Sequence, residues 1–274
     1  MRVGIIGLGY RLGYLARIFS VARPDFVVAG YVDPAPAGLP YTVEHGVSVG
    51  RQYDSLEAML DNEDLDLLMV GSPNHLHLEH IRVGLDRGMK IFTEKPVVTS
   101  VEETMELAGL IARYGSDNLM VGLVLRYAPL YVDLRKAQAE GMLGDITSIE
   151  ATEHIPPYHG AFFMRDWRRY ERYSGSFMLE KCCHDLDLYN GVMGCRPHYV
   201  SSFGGRRTFV PRNAPANVGV NDLEVYHRKP SGWQGSDKVF DSDGDIIDFQ
   251  TAMVQYENGA ALTFHTNLNV PDDF

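Results

Sequence analysis

Cysteine is scarce. The 274 residues carry three, Cys182, Cys183 and Cys195, with no CxxC pair among them. Three thiols make no disulfide framework, and an adjacent pair is an awkward metal site, so all three are read as reduced. Long apolar runs are also missing; none approaches the roughly 20 residues of a membrane-spanning helix. Positive charge is in deficit. Twenty-five Lys and Arg stand against 36 Asp and Glu, a formal net charge of −11. That gives no general electrostatic support to nucleic-acid binding and makes an anionic membrane surface a poor partner. The chain opens on a strand-like run with no basic segment, apolar stretch and cleavage site ahead of it, which leads to the expectation of a cytoplasmic protein. There is no disordered tract, and 45% hydrophobic residues suffice for the core of one large or two ordinary domains.

What is present begins at once. The apolar run Val3-Gly4-Ile5-Ile6 meets Gly7-Leu8-Gly9, and Tyr10-Arg11-Leu12-Gly13 then opens a helix-like segment. A buried parallel strand feeding a helix through Gly-x-Gly is the opening of a dinucleotide-binding βαβ unit. Gly7 permits a tight turn that a Cβ would strain. Gly9 lets a pyrophosphate approach the backbone, and the N–H groups at Tyr10, Arg11 and Leu12 begin a helix whose positive dipole end faces that phosphate. The third glycine falls one residue late, at Gly13 rather than position 12. A second apolar run, Phe26 to Val32, ends on Asp33, 24 residues after Gly9. That is near the interval for the carboxylate that holds the adenosine ribose hydroxyls, and an anion there favours NAD over NADP.

Strand and helix patterns then alternate to about residue 122. A Ser55-capped helix, a strand at Leu65–Val70, a helix over His75–Arg87, a strand at Met89–Thr93, a helix after Ser100 and a strand at Leu119–Gly122 follow one another. A helix near Ala128–Glu140 leads out, and the alternation stops. The second half carries a strand near Ile146–Thr152 and a helix near Ser176–Val192. Two further strands, Phe249–Tyr256 and Ala260–Leu268, flank the hairpin signal Asn258-Gly259. The pattern predicts an α/β protein: a doubly wound parallel sheet over 1–123 binds the nucleotide, and an α+β domain over 124–274, built on an open, mostly antiparallel sheet, binds substrate and oligomerises. Residues 208–245, rich in Gly, Pro, Asn and Asp, read as a long excursion. The chain stops six residues after Leu268, which raises the expectation that a last part of the sheet is absent.

Three further motifs join the opening one: Gly71-Ser72-Pro73-Asn74-His75-Leu76-His77, Glu94-Lys95-Pro96, and Glu180-Lys181-Cys182-Cys183-His184-Asp185-Leu186-Asp187. In this order and spacing the chain resembles the Gfo/Idh/MocA family of oxidoreductases, named for glucose–fructose oxidoreductase, inositol dehydrogenase and a rhizopine-catabolism protein. The resemblance runs from Met1 to about Leu268. It implies an N-terminal Rossmann domain, a C-terminal domain whose open sheet makes homodimer or homotetramer contacts, and hydride transfer between NAD and a hydroxyl carbon of a sugar or cyclitol. It also implies residue roles. Lys95 matches the lysine beside the nicotinamide and the reacting hydroxyl. His184 matches the acid/base histidine, and Asp187 a recurrent acid on the same helix. Glu180 stands where the family usually has Asp. Ser72, Pro73, Asn74, His75 and Glu94 line the cofactor side with Lys95, while Arg126 borders the substrate cleft.

The chemistry wants such groups. Oxidising a carbinol carbon requires a base that titrates near neutrality, and histidine does so with little perturbation. A lysine steadies the developing alkoxide or relays the proton. Glu180, His184 and Asp187 share one helix face by spacing. The aromatic and basic stretches around Tyr158, His159 and Trp167 suit a polyhydroxylated ligand; the alternative is a rim loop packed against the sheet. His75, His77 and His80 lack a visible fourth ligand, so no metal is expected. Asp241 to Asp245 has Ala252 where a calcium loop needs its closing Glu, and reads as a solvated acidic turn. Two other functions fit the same motifs: a glycosidase that uses bound NAD in transient oxidation and elimination, and a non-catalytic sugar or cofactor sensor.

Overall fold

Val3 to Ile6 are buried on both faces of a sheet, as the unbroken apolar run requires of a central parallel strand. In the computed structural model, which describes residues 1–215, Tyr226 and residues 233–270, the chain forms two compact units, Met1–Gly122 and Leu123–Phe274.

The first unit runs β1 (Arg2–Ile6), α1 (Tyr10–Ala22), β2 (Val27–Val32), α2 (Leu39–Glu44), β3 (Val49–Gln52), α3 (Leu56–Asn62), β4 (Leu67–Val70), α4 (His77–Asp86), β5 (Ile91–Thr93), α5 (Val101–Tyr114) and β6 (Leu119–Val121). Its six strands are parallel, in the order β3-β2-β1-β4-β5-β6. The order reverses between β1 and β4, and ligands of such sheets bind beyond the carboxyl ends of the strands at that point. Two apolar clusters cover the sheet, one around Ile5, Leu12, Phe26 and Phe92, the other around Leu56, Met59, Leu68, Ile81 and Leu107. Ser55 and Ser100 cap α3 and α5 by accepting from the N–H groups of Ala58 and Glu103.

The second unit runs α6 (Pro129–Ala139), β7 (Ser148–His154), α7 (Pro157–Arg165), α8 (Glu171–Ser174), α9 (Phe177–Met193), β8 (Pro197–Gly205), β9 (Phe249–Tyr256) and β10 (Ala261–Asn267). The sheet order is β7-β10-β9-β8; β10 pairs parallel with β7, and the other two pairs are antiparallel. Gly259, at φ +86°, makes the tight turn between β9 and β10. One sheet face buries Val254, Tyr256, Leu262 and Phe264 with Phe163 and Met164 of α7 and Phe177, Cys182 and Met193 of α9. Burial pushes the Cys182 thiol up to about 12, so it packs as a small apolar group. Tyr199, Phe203 and Met253 remain exposed.

Two expectations need correction. Tyr158, His159 and Gly160 lie on α7, not in a rim loop; a Cβ at Gly160 would sit 1.5 Å from Leu268 O, so the helix is seated directly on the chain after β10. The acidic turn is not merely solvated, because Asp243 accepts from Arg169 Nε at 2.7 Å and from the Tyr170 hydroxyl at 2.7 Å. Strand β8 had no counterpart in the sequence pattern. Part of the 208–245 excursion, 216–225 and 227–232, lies outside the described residues. No helix among the described residues is long and apolar enough to cross a membrane.

Candidate functional site

In the first unit the glycine turn divides its labour. Gly7 has φ +82°, and a Cβ there would lie 2.3 Å from Ser72 N. Gly13, the late third glycine, would meet Thr42 Oγ1 at 2.8 Å and Gly38 O at 2.9 Å, so it seats α1 against the start of α2. Gly9 differs: no atom lies within 4 Å of a Cβ built on it. It is the N-cap of α1, and no side chain caps that end. Open space over backbone N–H groups at a helix N-terminus is an anion cradle. Tyr10 and Arg11 are exposed, whereas the Leu12 side chain is buried against Gly71, which leaves only its backbone for a ligand. Asp33 follows β2. Its Oδ1 accepts from Ala35 N at 2.7 Å and its carbonyl from Gln52 Nε2 at 2.7 Å, which fixes the carboxylate at the strand end.

The loops after β4 and β5 are tied together. Buried His77 places Nδ1 2.8 Å from Pro96 O and Nε2 2.8 Å from Ser72 O. It therefore joins the Ser72–His75 turn to the Glu94-Lys95-Pro96 turn, whose Lys95-Pro96 bond is cis. Carbonyls only accept, so filling both contacts requires a proton on each ring nitrogen. Arg11 Nε donates to Glu94 Oε1 at 3.0 Å, linking the glycine turn to the same loop. Asn74 is buried and Lys95 half-buried.

In the second unit α9 presents Glu180, His184 and Asp187 at successive turns of one face. Asp187 is held by both arms of Arg126, with Nε to Oδ2 at 2.6 Å and Nη2 to Oδ1 at 2.5 Å. Buried Glu180 accepts from Arg168 Nε at 3.1 Å, and Arg168 Nη1 donates to Asp166 Oδ2 at 2.9 Å. Trp167 is buried, with the Arg168 guanidinium 4.3 Å from its ring centre. Exposed Tyr158 stacks on His159, which stacks in turn on Phe163. Lys181 points elsewhere, to Glu153 and Asp185. Lys95 and His184 belong to different units.

Residues 1–123 match the family model described as "Oxidoreductase family, NAD-binding Rossmann fold", and residues 131–274 match that of the GFO/IDH/MocA C-terminal domain. The chain belongs to the Gfo/Idh/MocA family. It is 23% identical over 252 residues to YteT of Bacillus subtilis (strain 168), covering 80% of this chain and 59% of that protein. It is 24% identical over 207 residues to the 2,7-anhydro-N-acetylneuraminate hydratase of Escherichia coli (strain K12), covering 74% of this chain and 52% of that one. The chain thus spans a little over half the length of these curated relatives. The structure of scyllo-inositol dehydrogenase from Lactobacillus casei with bound NAD(H) and scyllo-inositol shares the fold, with a TM-score of 0.73 at 21% identity over 99% of this chain and 70% of that one.

As a family member the chain has an NAD-binding Rossmann domain, and the open cradle over Gly9 fits the pyrophosphate of such a nucleotide. Two residues of these sites have bonds that escaped the sequence pattern. His77 is read from the sequence as part of the start of a helix after the Ser-Pro-Asn turn, and α4 does begin there; its bonds to two loops have no counterpart in that reading. Arg168 falls in the basic and aromatic stretch around Trp167 noted from the sequence, but its pairing with Glu180, 12 residues on, is not readable there.

His80 gives this region a pH response. Its Nδ1 lies 2.9 Å from Ser72 Oγ, and burial pulls its pKa down from 6.5 to about 4. Between those values the unfolded chain takes up a proton that the folded chain refuses, so stability falls as pH drops through that window. The loss amounts to about 3 kcal/mol over the full window. Urea unfolding of wild type and His80→Gln at pH 7 and pH 4.5 checks this; the variant should lose less stability on acidification, and equal losses would remove His80 as the cause.

Proposed function

We propose that the chain moves a hydride between NAD and a hydroxyl-bearing carbon of a sugar or cyclitol. The observation that carries this is the open cradle over Gly9 at the reversal of strand order, with Lys95 at the end of β5 in the same sheet. Gly7, Gly9 and the N–H groups at Tyr10 to Leu12 hold the pyrophosphate. Asp33 holds the ribose hydroxyls and repels a 2′-phosphate. Ser72, Pro73, Asn74, His75, Glu94 and Lys95 form the nicotinamide side, where bound NAD supplies the hydride acceptor. Lys95 steadies the alkoxide, and His184 takes the hydroxyl proton. Arg126, Tyr158 and His159 supply polar and stacking contacts to the polyol. The names of relatives support this class: inositol dehydrogenases of Lactiplantibacillus plantarum and Bacillus subtilis are among them.

The test is a fluorescence titration with NADH and NADPH, followed by a sugar and cyclitol panel on the same sample. Saturable NADH binding that outcompetes NADPH, with substrate-dependent NADH formation, is expected; a folded, cofactor-free sample that binds neither nucleotide would sink the reading. Sedimentation of that sample tests the homo-oligomer, which the exposed Tyr199, Phe203 and Met253 support. The hydratase among the relatives favours one alternative, transient oxidation and elimination with no net NADH, and product analysis without an absorbance change would select it.

A further inference from the structure

Arg11 stands where a helix tolerates a cation poorly. It is the second residue of α1, and the helix dipole puts partial positive charge at that end. It is also the one basic residue of the stretch from Gly7 to Gly13, and the first turn of α1 holds no acid. Its partner comes from another part of the sheet. Arg11 Nε donates to Glu94 Oε1, on the turn after β5, at 3.0 Å. Strand β4 lies between β1 and β5, so the bond joins turns on either side of β4, beside the reversal of strand order.

The two ends of this bond differ in exposure. The Glu94 side chain is 10% exposed and that of Arg11 45%. A Cβ built on Gly122, just after β6, would lie 3.1 Å from Glu94 Oε1, so the carboxylate is seated close against the backbone. Glu94 is the fixed end and Arg11 the open one. A guanidinium carries N–H donors on all three nitrogens, and only that of Nε is used here. Those on Nη1 and Nη2 have no partner among the described residues. A bond at Nε sets the direction of the planar fork and leaves the fork itself unoccupied. Part of the rotamer freedom that a loose arginine loses on meeting a ligand is therefore lost already at folding. The open cradle over Gly9 lies two residues away in the chain. With a net charge of −11 on the whole chain, a doubly anionic pyrophosphate approaches against the average field, and a local cation with open donors counters it.

We propose that Arg11 is a side-chain ligand of the nucleotide pyrophosphate: Glu94 holds its Nε, while Nη1 and Nη2 donate to phosphate oxygens alongside the backbone N–H groups of the cradle. This rests on the placement of the nucleotide over Gly9 and adds a side chain to it. The cation at the disfavoured end of α1 is then matched once phosphate is bound. Through Glu94 the same residue ties the phosphate to the turn that carries Lys95.

Calorimetric titration with ADP-ribose, which has the pyrophosphate and no nicotinamide, reads this without turnover. Arg11→Gln alone would mix two effects, because it also strips a buried carboxylate of its cation. The comparison is therefore made with that carboxylate removed. Glu94→Gln keeps an amide oxygen for Arg11 Nε and removes a negative charge, so it should bind ADP-ribose at least as tightly as wild type. The double variant Glu94→Gln with Arg11→Gln differs from it only at Arg11. It should bind at least about tenfold more weakly, through loss of charge-assisted bonds to phosphate. Had Arg11 served only to neutralise Glu94, these two variants would bind alike, and that result overturns the proposal. So does a tenfold loss in Glu94→Gln alone, which would make the carboxylate the group that meets the nucleotide. Thermal melts check folding; should the double variant not fold, Glu94→Gln with Arg11→Met, an apolar chain in place of the cation, is read in its stead with the same expectation. A folded wild type that binds neither ADP-ribose nor NADH would overturn the cradle and this proposal with it, whereas tight ADP-ribose binding with equal variants would overturn the role of Arg11 alone.

Discussion

Replacing Lys95 with alanine is expected to lower turnover by about 100- to 10,000-fold, the range of a lost acid/base or alkoxide-stabilising group, while NADH binding changes little. Lys95 leaves β5 on a loop fixed from two sides, by Arg11 on Glu94 and by His77 on Pro96 O. The backbone therefore keeps its course when the side chain is removed, and the loss falls on chemistry. Lys95→Arg separates two roles. Arginine keeps the positive charge but does not release its proton near neutrality. Retained activity in that variant would assign Lys95 to charge stabilisation, and loss equal to that of alanine would assign it to proton transfer or to geometry. Steady-state rates with a neutral cyclitol, paired with an NADH titration of each variant, provide the measurement. Wild-type turnover in Lys95→Ala would remove the residue from the site.

The second large effect lies in the glycine turn, where two substitutions two residues apart should fail for opposite reasons. Gly9→Ala places its methyl in space with no neighbour within 4 Å, at an ordinary φ of −76°. The fold should not notice, but the methyl occupies the proposed pyrophosphate cradle, and NADH affinity should fall by at least about tenfold. Gly7→Ala forces a Cβ to within 2.3 Å of a backbone nitrogen at φ +82°. That neighbour is not a flexible side-chain tip, so the variant should lose about 3 kcal/mol or more of stability. Thermal melts and nucleotide titrations of both variants check the pair. A Gly9→Ala protein with wild-type melting and wild-type affinity would move the nucleotide off the cradle.

What the sequence makes legible follows from burial. The strands at Val3–Ile6 and Leu67–Val70 lie in the middle of a parallel sheet with both faces covered, and such strands announce themselves as apolar runs. Strand β3 at Val49–Gln52 is an edge, mostly exposed, and β8 is exposed along nearly its whole length. Neither has the alternation that betrays a half-buried strand, so both passed unread. The helix α7 offered a signal that went unused: Pro157 stands at its first turn, where a missing N–H costs nothing. The glycine turn, Asp33 and the acid-flanked His184 are short-range patterns and could be named directly. The Arg168 group was not legible, since its parts are brought side by side only by the packing of a short turn against α9. The same holds for the division between Gly7 and Gly9, which depends on the neighbouring loop after β4.

His77 carries one more consequence. Its ring bonds carbonyls on two loops that leave different strands, so those loops share a brace. The entropy lost in ordering either one is therefore spent when the domain folds rather than when a ligand arrives. A nucleotide held as proposed at the Ser72–His75 turn would find the Lys95 turn already in register, with little of its interaction energy diverted into arranging the protein. Removing the His77 ring would take away one tie between the two turns. Through it, the grip on the cofactor and the bearing of Lys95 become one preorganised property of the unit.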